Sequence, residues 1–307
     1  MANESSQTEP ERDLSEVISS LLLGLLIVSE NLFVCYIVYR FRRLRTYTNG
    51  FVASLAVSDI LFGAVLVPLH VFVEHSPVNS YLIAIILMVN IANLLLCTFD
   101  RYLAVLKPFH YATHMAKIFH KVIVLAWLVP IFVGLLPLFW DTDPARMAHT
   151  IYLFCTLAIG ILIPYLLILF AYVRIFREVQ KQVRKLAKIS LCDQYAPSFK
   201  EKKKMASEVR VAKVFAVIAG IFVLSWMPLV FMNAADALHV PQVIPESLPV
   251  IAWYTLNFSS MINAPIYAFF KSDFRRALKT ILVCKGGGGF RYENESTNAK
   301  LAATSAV

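Results

Sequence analysis

The sequence predicts an all-α membrane protein: a bundle of seven transmembrane helices followed by a short amphipathic eighth helix. Three observations lead there. Of the 307 residues, 58% are hydrophobic and only 16% charged, whereas a soluble domain averages about 45–50% and about 25%; the mean hydropathy is +0.65. Apolar runs of roughly 20 residues, the length that crosses a hydrocarbon core, recur seven times along the chain. The charges fall in the gaps between runs, basic in some and acidic in others. A soluble enzyme, a disordered chain and a small disulfide scaffold are thereby excluded. Basic residues outnumber acidic ones 29 to 20, but their clustering beside the spans points to a membrane surface and not to nucleic acid.

Taken in order, the spans are expected at 17–39, 48–73, 79–104, 118–139, 149–176, 209–235 and 247–270. The first follows a polar, acidic segment and is too long for a signal-peptide core, so no cleavable signal is expected. The second and third are separated only around Glu74–Asn79 and form a tight hairpin. The third carries Asn90 and Asn93, whose amides need partners, so it belongs at the centre, away from lipid. Mid-span prolines are expected to kink the fourth (Pro130), fifth (Pro164), sixth (Pro228) and seventh (Pro265). Beyond the seventh, Phe274, Leu278, Ile281 and Leu282 face away from Arg275, Arg276 and Lys279, an amphipathic helix on the inner leaflet. The chain thus divides into a tail at 1–16, a helical bundle at 17–270, a membrane-surface helix at 271–284 and a tail at 285–307.

Arg40, Arg42, Arg43 and Arg45 follow the first span, Lys107, Lys117 and Lys121 separate the third from the fourth, and Lys181–Lys204 is strongly basic. Glu4, Glu9, Glu74, Asp141, Asp236 and Glu246 mark the opposite side. The positive-inside bias then places the N-terminus outside and the C-terminus in the cytosol of a multi-pass plasma-membrane protein. Asn3-Glu4-Ser5 is an exposed glycosylation sequon. Cys155 alone of five cysteines nears the oxidising side, so no disulfide is expected; Cys284 is a candidate for palmitoylation, against an unmodified thiol.

Polar groups inside spans mark function. Asn31, Asp59, Asn90, Ser259, Ser260 and Asn263 fall at similar depth. They make either an oxygen cage for a monovalent cation around Asp59 or a structural hydrogen-bond network holding a protonated Asp59. At the inner end of the third span, Asp100-Arg101-Tyr102 places a permanent cation at the membrane edge. Its partners are expected to be Asp100 and Glu208, and exchange between them would make a two-state element. The alternative is a solvated surface pair worth under about 1 kcal/mol.

The ordered set Asn31, Asp59, Asp100-Arg101-Tyr102, Trp127, Pro164, Tyr172, Trp226-Met227-Pro228 and Asn263…Tyr267 resembles the rhodopsin-like (class A) G-protein-coupled receptors, over all seven spans and the eighth helix. The resemblance implies a non-enzymatic receptor in which an extracellular small ligand selects the conformation that admits a heterotrimeric G protein beside Arg101. Asp100, Arg101, Tyr102, Tyr172, Glu208 and Tyr267 match its switch, and Asp59, Asn90, Ser259, Ser260 and Asn263 its allosteric sodium site. Ala264 separates Asn263 from Pro265 where that family has the two adjacent. The usual disulfide from the third span is missing, with Ser76 near its position. Within the class, Ala171–Phe176, Glu208–Lys213 and Leu135–Trp140 are adenosine-receptor-like, placing the chain near the adenosine, melanocortin, cannabinoid and lysophospholipid receptors. The same comparison implies a pocket of Ile83, Leu87, Trp226, Met232, Asn233 and Asn257, apolar with amide groups. Ile83 stands where amine receptors carry aspartate, so the ligand reads as neutral: an adenosine-like nucleoside, or a lipid or peptide. Arrestin is a further implied partner, and Ser305-Ala306-Val307 resembles a PDZ ligand. The rival readings are a transporter or channel, which the lack of internal repeats disfavours, and a non-signalling scaffold, for which the altered motif at Ala264 speaks.

Overall fold

The computed structural model describes residues 14–73, 77–139, 147–191, 217, 220–236, 238 and 240–284. Among them there is no strand. Helix α1 covers Leu14–Arg40, and a 3-10 turn, Arg42–Leu44, leads to α2, Tyr47–Phe72. Thr46 caps α2 by accepting from the Asn49 N–H at 3.3 Å. Helix α3 is Pro77–Leu106 and α4 Pro108–Leu135, extended by a turn at Leu136–Phe139. Helix α5 covers 147–191, α6 Gly220–Asp236, α7 Leu248–Phe270 and α8 Ser272–Cys284. The first five are long and apolar enough to cross a bilayer.

Two boundaries differ from expectation for physical reasons. Helix α4 starts at Pro108, ten residues early: proline at the first helical position has its φ already set and no N–H to waste. Helix α5 continues to Leu191 and not to 176, because Arg174, Arg177, Lys181 and Arg184 are good helix formers on leaving the apolar phase. A π-helical segment, Thr156–Leu162, interrupts it, and another, Phe62–Leu66, interrupts α2.

Helix α3 is central, packing against α2, α4 and α5. Asn90 and Asn93 are both buried. The Asn93 oxygen accepts from Ser54 Oγ at 2.5 Å, and Ser54 in turn accepts from Trp127 Nε1 at 3.0 Å, tying α2, α3 and α4 together. Helices α1 and α2 approach closely at two glycines: a Cβ on Gly63 would lie 2.8 Å from the Gly24 carbonyl oxygen. Helix α7 is tied to α1 twice, through the Ser19–Tyr254 hydroxyl pair (3.0 Å) and through Trp253 Nε1 donating to Ser20 Oγ (3.2 Å). His70 of α2 stacks on Trp253 with ring centroids 3.7 Å apart.

Helix α8 is amphipathic, but its apolar side does not simply face lipid. Phe274 and Ala277 are buried against the bundle, Leu278 and Ile281 are half-buried, and Leu282 is exposed. Asn3, Ser76, the 141–146 loop, Glu208 and the 305–307 tail lie outside the described residues, as do the side chains of Tyr267 and Cys284.

Candidate functional site

Asp100 and Arg101 end the central helix at the boundary with α4. Asp100 is almost fully buried, and both of its oxygens are engaged. Tyr111 Oη donates to Oδ1 at 2.6 Å; Thr48 Oγ1 and Arg101 Nε donate to Oδ2, each at 2.9 Å. Arg101 also donates to Thr48. Its side chain is only 13% exposed, so this pair is no solvated surface contact. Charge-assisted bonds to a buried carboxylate are among the stronger ones. The arrangement is a latch in which Thr48 of α2 holds the α3 arginine and its carboxylate, and Tyr111 of α4 the carboxylate.

Thr48 and Tyr111 were not legible as partners. Thr48 shares the first turn of α2 with its cap. Tyr111 is brought round because the helix restarts at Pro108 directly after α3. Beside them, buried Lys271 donates to Asn49 Oδ1, joining the α7–α8 junction to α2. Asn49 Nδ2 donates onward to the Leu44 carbonyl at 2.8 Å. Burial, with the Arg101 charge adding to it, pushes the Lys271 ammonium down to about 7. Tyr102 is half-buried against α5, touching the Ile175–Val179 cluster, and faces away from the latch. Tyr172 turns its hydroxyl into the interior, toward Thr98 of α3.

Deeper in the bundle, Asp59 is completely buried. Asn90 Nδ2 donates to Oδ1 at 2.6 Å and Asn263 Nδ2 to Oδ2 at 3.0 Å, and Ser260 bonds the same carboxylate. Helices α2, α3 and α7 therefore converge on one charge. Asn31 stands aside, donating to the Ile27 carbonyl and, at 3.4 Å, to the Ser260 carbonyl. Ser259 is buried, but the carboxylate's bonds come from its neighbour. For a sodium ion, Asp59, Asn90, Ser260 and Asn263 offer a carboxylate, a hydroxyl and two amides. The amides present N–H to Asp59, and each also carries an oxygen that rotation about its last torsion brings round. The donor set fits a monovalent cation.

The expected ligand contacts are less gathered. Leu87, Trp226 and Asn257 are buried, while Ile83, Met232 and Asn233 are half-buried. Trp226 packs against Phe222 at 4.8 Å between centroids. Asn233 spends its amide on the Leu229 carbonyl of its own helix, at 2.8 Å. Asn257 donates to the Trp253 carbonyl at 2.8 Å, and among the described residues its buried Oδ1 has no hydrogen-bond partner. One turn of α7 separates it from Trp253 on one side and from Ser260 on the other. None of the six lines the cavity of about 490 Å³ between α3, α4 and α5. Phe109, which sequence reasoning passed over, stands 94% exposed in the first turn of α4; an aromatic directly after a helix-starting proline was the available signal.

Comparison with known proteins bears on this geometry. The model of the 7 transmembrane receptor (rhodopsin family) matches residues 30–267, which include both the Asp59 cluster and the arginine latch. Among curated proteins, the D(1)-like dopamine receptor of Oreochromis mossambicus is 32% identical over 89% of this chain and 80% of its own length. The octopamine receptor beta-2R of Chilo suppressalis is 28% identical over 86% and 78%. The D(1C) dopamine receptor of Xenopus laevis is 29% identical over 89% and 69%. These relatives correct the expected placement near the adenosine and lipid receptors. That placement rested on three short peptides, whereas the likeness to the amine receptors extends along most of the chain. Seven apolar helices about a buried carboxylate, a latched arginine ending the third, and a family match across both make the chain a member of the rhodopsin family of seven-transmembrane receptors, the class A G-protein-coupled receptors.

Proposed function

We propose that this protein couples a ligand held between its helices to nucleotide exchange on a heterotrimeric G protein at the Arg101 end. The observation that carries the reading is the latch, because Arg101 is held by Thr48 of α2 as well as by Asp100, which Tyr111 of α4 holds in turn. Release of Arg101 frees a cation at the end of the bundle where the α4 start carries the exposed ring of Phe109, residue types suited to a partner's docking surface. The Tyr172 hydroxyl, beside Thr98 in the interior, is an acceptor on α5 for the released guanidinium. With Arg101 facing the cytosol, the odd number of spans puts the N-terminus outside. Sodium held by Asp59, Asn90, Ser260 and Asn263 would favour the latched state by fixing α2, α3 and α7 to one charge.

The ligand that suits the interior is neutral and largely apolar, with one N–H or O–H for Asn257 Oδ1. An unmet buried acceptor strongly favours a ligand that brings a donor. A second reading, a biogenic amine, is favoured by the names of the relatives. It must do without a carboxylate at Ile83 and relies on Asn257 and ring contacts.

The test is a G-protein dissociation assay on the full chain, run with dopamine, octopamine and a set of neutral aromatic amides and alcohols. Arg101→Ala is expected to remove ligand-driven dissociation while ligand still binds; full signalling by that variant refutes the coupling role. Tyr111→Phe, which removes one charge-assisted bond worth about 1.5–3 kcal/mol, is expected to raise ligand-free signalling. Loss of response to the active compound in Asn257→Leu, with expression preserved, supports the assigned contact.

A further inference from the structure

Two hydroxyls from different helices donate to the main chain of α6 at nearly the same level. Tyr165 of α5 donates its Oη–H to the Val223 carbonyl at 3.0 Å, and Thr255 of α7 its Oγ1–H to the Ser225 carbonyl at 2.9 Å. Carbonyls two residues apart on a helix lie about 200° apart around the axis, so α6 is held on opposite flanks. Pro228 has no N–H, and the rung of the α6 ladder that it removes would have run back to Leu224. The two ties therefore bracket the point where α6 resists bending least, with Trp226 buried beside it. Both lie on the inner side of Pro228, on the segment that a hinge there would swing.

The ties differ in what their release costs. The Thr255 hydroxyl has one proton and two acceptors in reach: the Ser225 carbonyl and, at 3.1 Å, the Ala252 carbonyl one turn back on its own helix. When α6 moves away from α7, that proton passes wholly to Ala252, a bond that threonine readily makes within a helix, and the hydroxyl stays satisfied. Tyr165 has no such second acceptor. Among the described residues its hydroxyl bonds only Val223, and the side chain is buried. Parting α6 from α5 strands that hydroxyl, which costs more than exchanging one acceptor for another.

We infer that Tyr165 and Thr255 are positioning residues for a movement of α6: Tyr165 pins α6 to α5 as a pivot, and Thr255 is the releasable stay that holds it against α7 in the latched state. The movement is one-sided, with α6 parting from α7 and turning about α5. Its consequence at the G protein rests on the coupling reading above; the movement itself is measured without a G protein.

The test uses the full-length protein in phosphatidylcholine nanodiscs without ligand, with Cys155, Cys192 and Cys284 replaced by serine. Val217→Cys, just ahead of α6, and Lys117→Cys, near the start of α4, carry nitroxide labels at two exposed positions. Double electron–electron resonance then resolves the fraction of molecules in which α6 has moved. Thr255→Val keeps the side-chain shape and removes the stay. It is expected to raise that fraction about two- to tenfold, the factor set by one net hydrogen bond, and Thr255→Ser to restore the parent value. Tyr165→Phe removes a bond present in both positions of α6, so it is expected to lower the thermal midpoint while changing the fraction by less than about twofold. A distance distribution unchanged by Thr255→Val overturns the assignment, as does a shift in Tyr165→Phe as large as that in Thr255→Val. A larger moved fraction in Thr255→Val without faster ligand-free nucleotide exchange supports the pivot and refutes the coupling reading instead.

Discussion

Gly63 on α2 and Gly160 on α5 are both glycines at a helix contact, yet their surroundings are opposite in kind. A Cβ added to Gly63 would meet the Gly24 backbone carbonyl at 2.8 Å; one added to Gly160 would meet the sulfur of Met88, the flexible end of a side chain, at 3.1 Å. The contrast extends to the two sides of the bundle. Around α1, α2 and α7, backbones touch and side-chain hydrogen bonds join the helices: Ser19 to Tyr254, Trp253 to Ser20, Asn263 to Asp59. Around α3, α4 and α5, Tyr111 bonds Asp100 and Tyr152 bonds the Val133 carbonyl, and between those ties the helices open into a mostly apolar groove. The first side is built to stay together, and it carries the carboxylate. The second is built to accommodate.

The largest effect that would break this comparison is at Gly63. Gly63→Ala is expected to destabilise the purified protein by about 2 kcal/mol or more, since two backbones must part, read as a fall in thermal midpoint; an unchanged midpoint would mean that the α1–α2 contact is looser than described. Asn263→Ala strips one amide donor from Asp59 and is expected to cost about 1.5–3 kcal/mol, with sodium dependence of ligand binding lost as well. A smaller effect concerns Lys271, whose proton is held less tightly in the fold than at its ordinary 10.5. The unfolded chain binds more protons between about 7 and 10.5, so stability rises with pH across that window; Lys271→Met is expected to flatten the slope in a detergent melting series. Gly160→Ala should be the mildest, within about 0.5 kcal/mol, because Met88 can turn aside. A cost there equal to that of Gly63→Ala would abolish the distinction between the two sides.

Much of the architecture was readable from the chain. The first five spans follow from apolar run length. The central place of α3 followed from Asn90 and Asn93, which could not be left facing lipid. The convergence on Asp59 was legible for the same reason: an isolated carboxylate in hydrocarbon demands partners, and Asn90, Ser260 and Asn263 were the polar groups at its depth. The subfamily was misread, because short similar peptides such as Ala171–Phe176 carry little weight against a likeness spread over most of the chain. The start of α4 was misread too, because a hydropathy pattern sees where a helix enters the membrane and not where it begins.

The periodicity of apolar residues, the spacing of prolines and the placement of charges settled that this chain crosses a membrane as a helical bundle with a carboxylate inside and an arginine at one end. Those properties are local or additive, and each can be counted along one strand of text. Tertiary structure alone decided that Thr48 and Tyr111 latch the Asp100–Arg101 pair, that Lys271 reaches Asn49, and that α4 and α5 part to leave a groove. These depend on where helices distant in sequence come to lie within a few ångströms, and hydrogen bonds are made or missed at that scale.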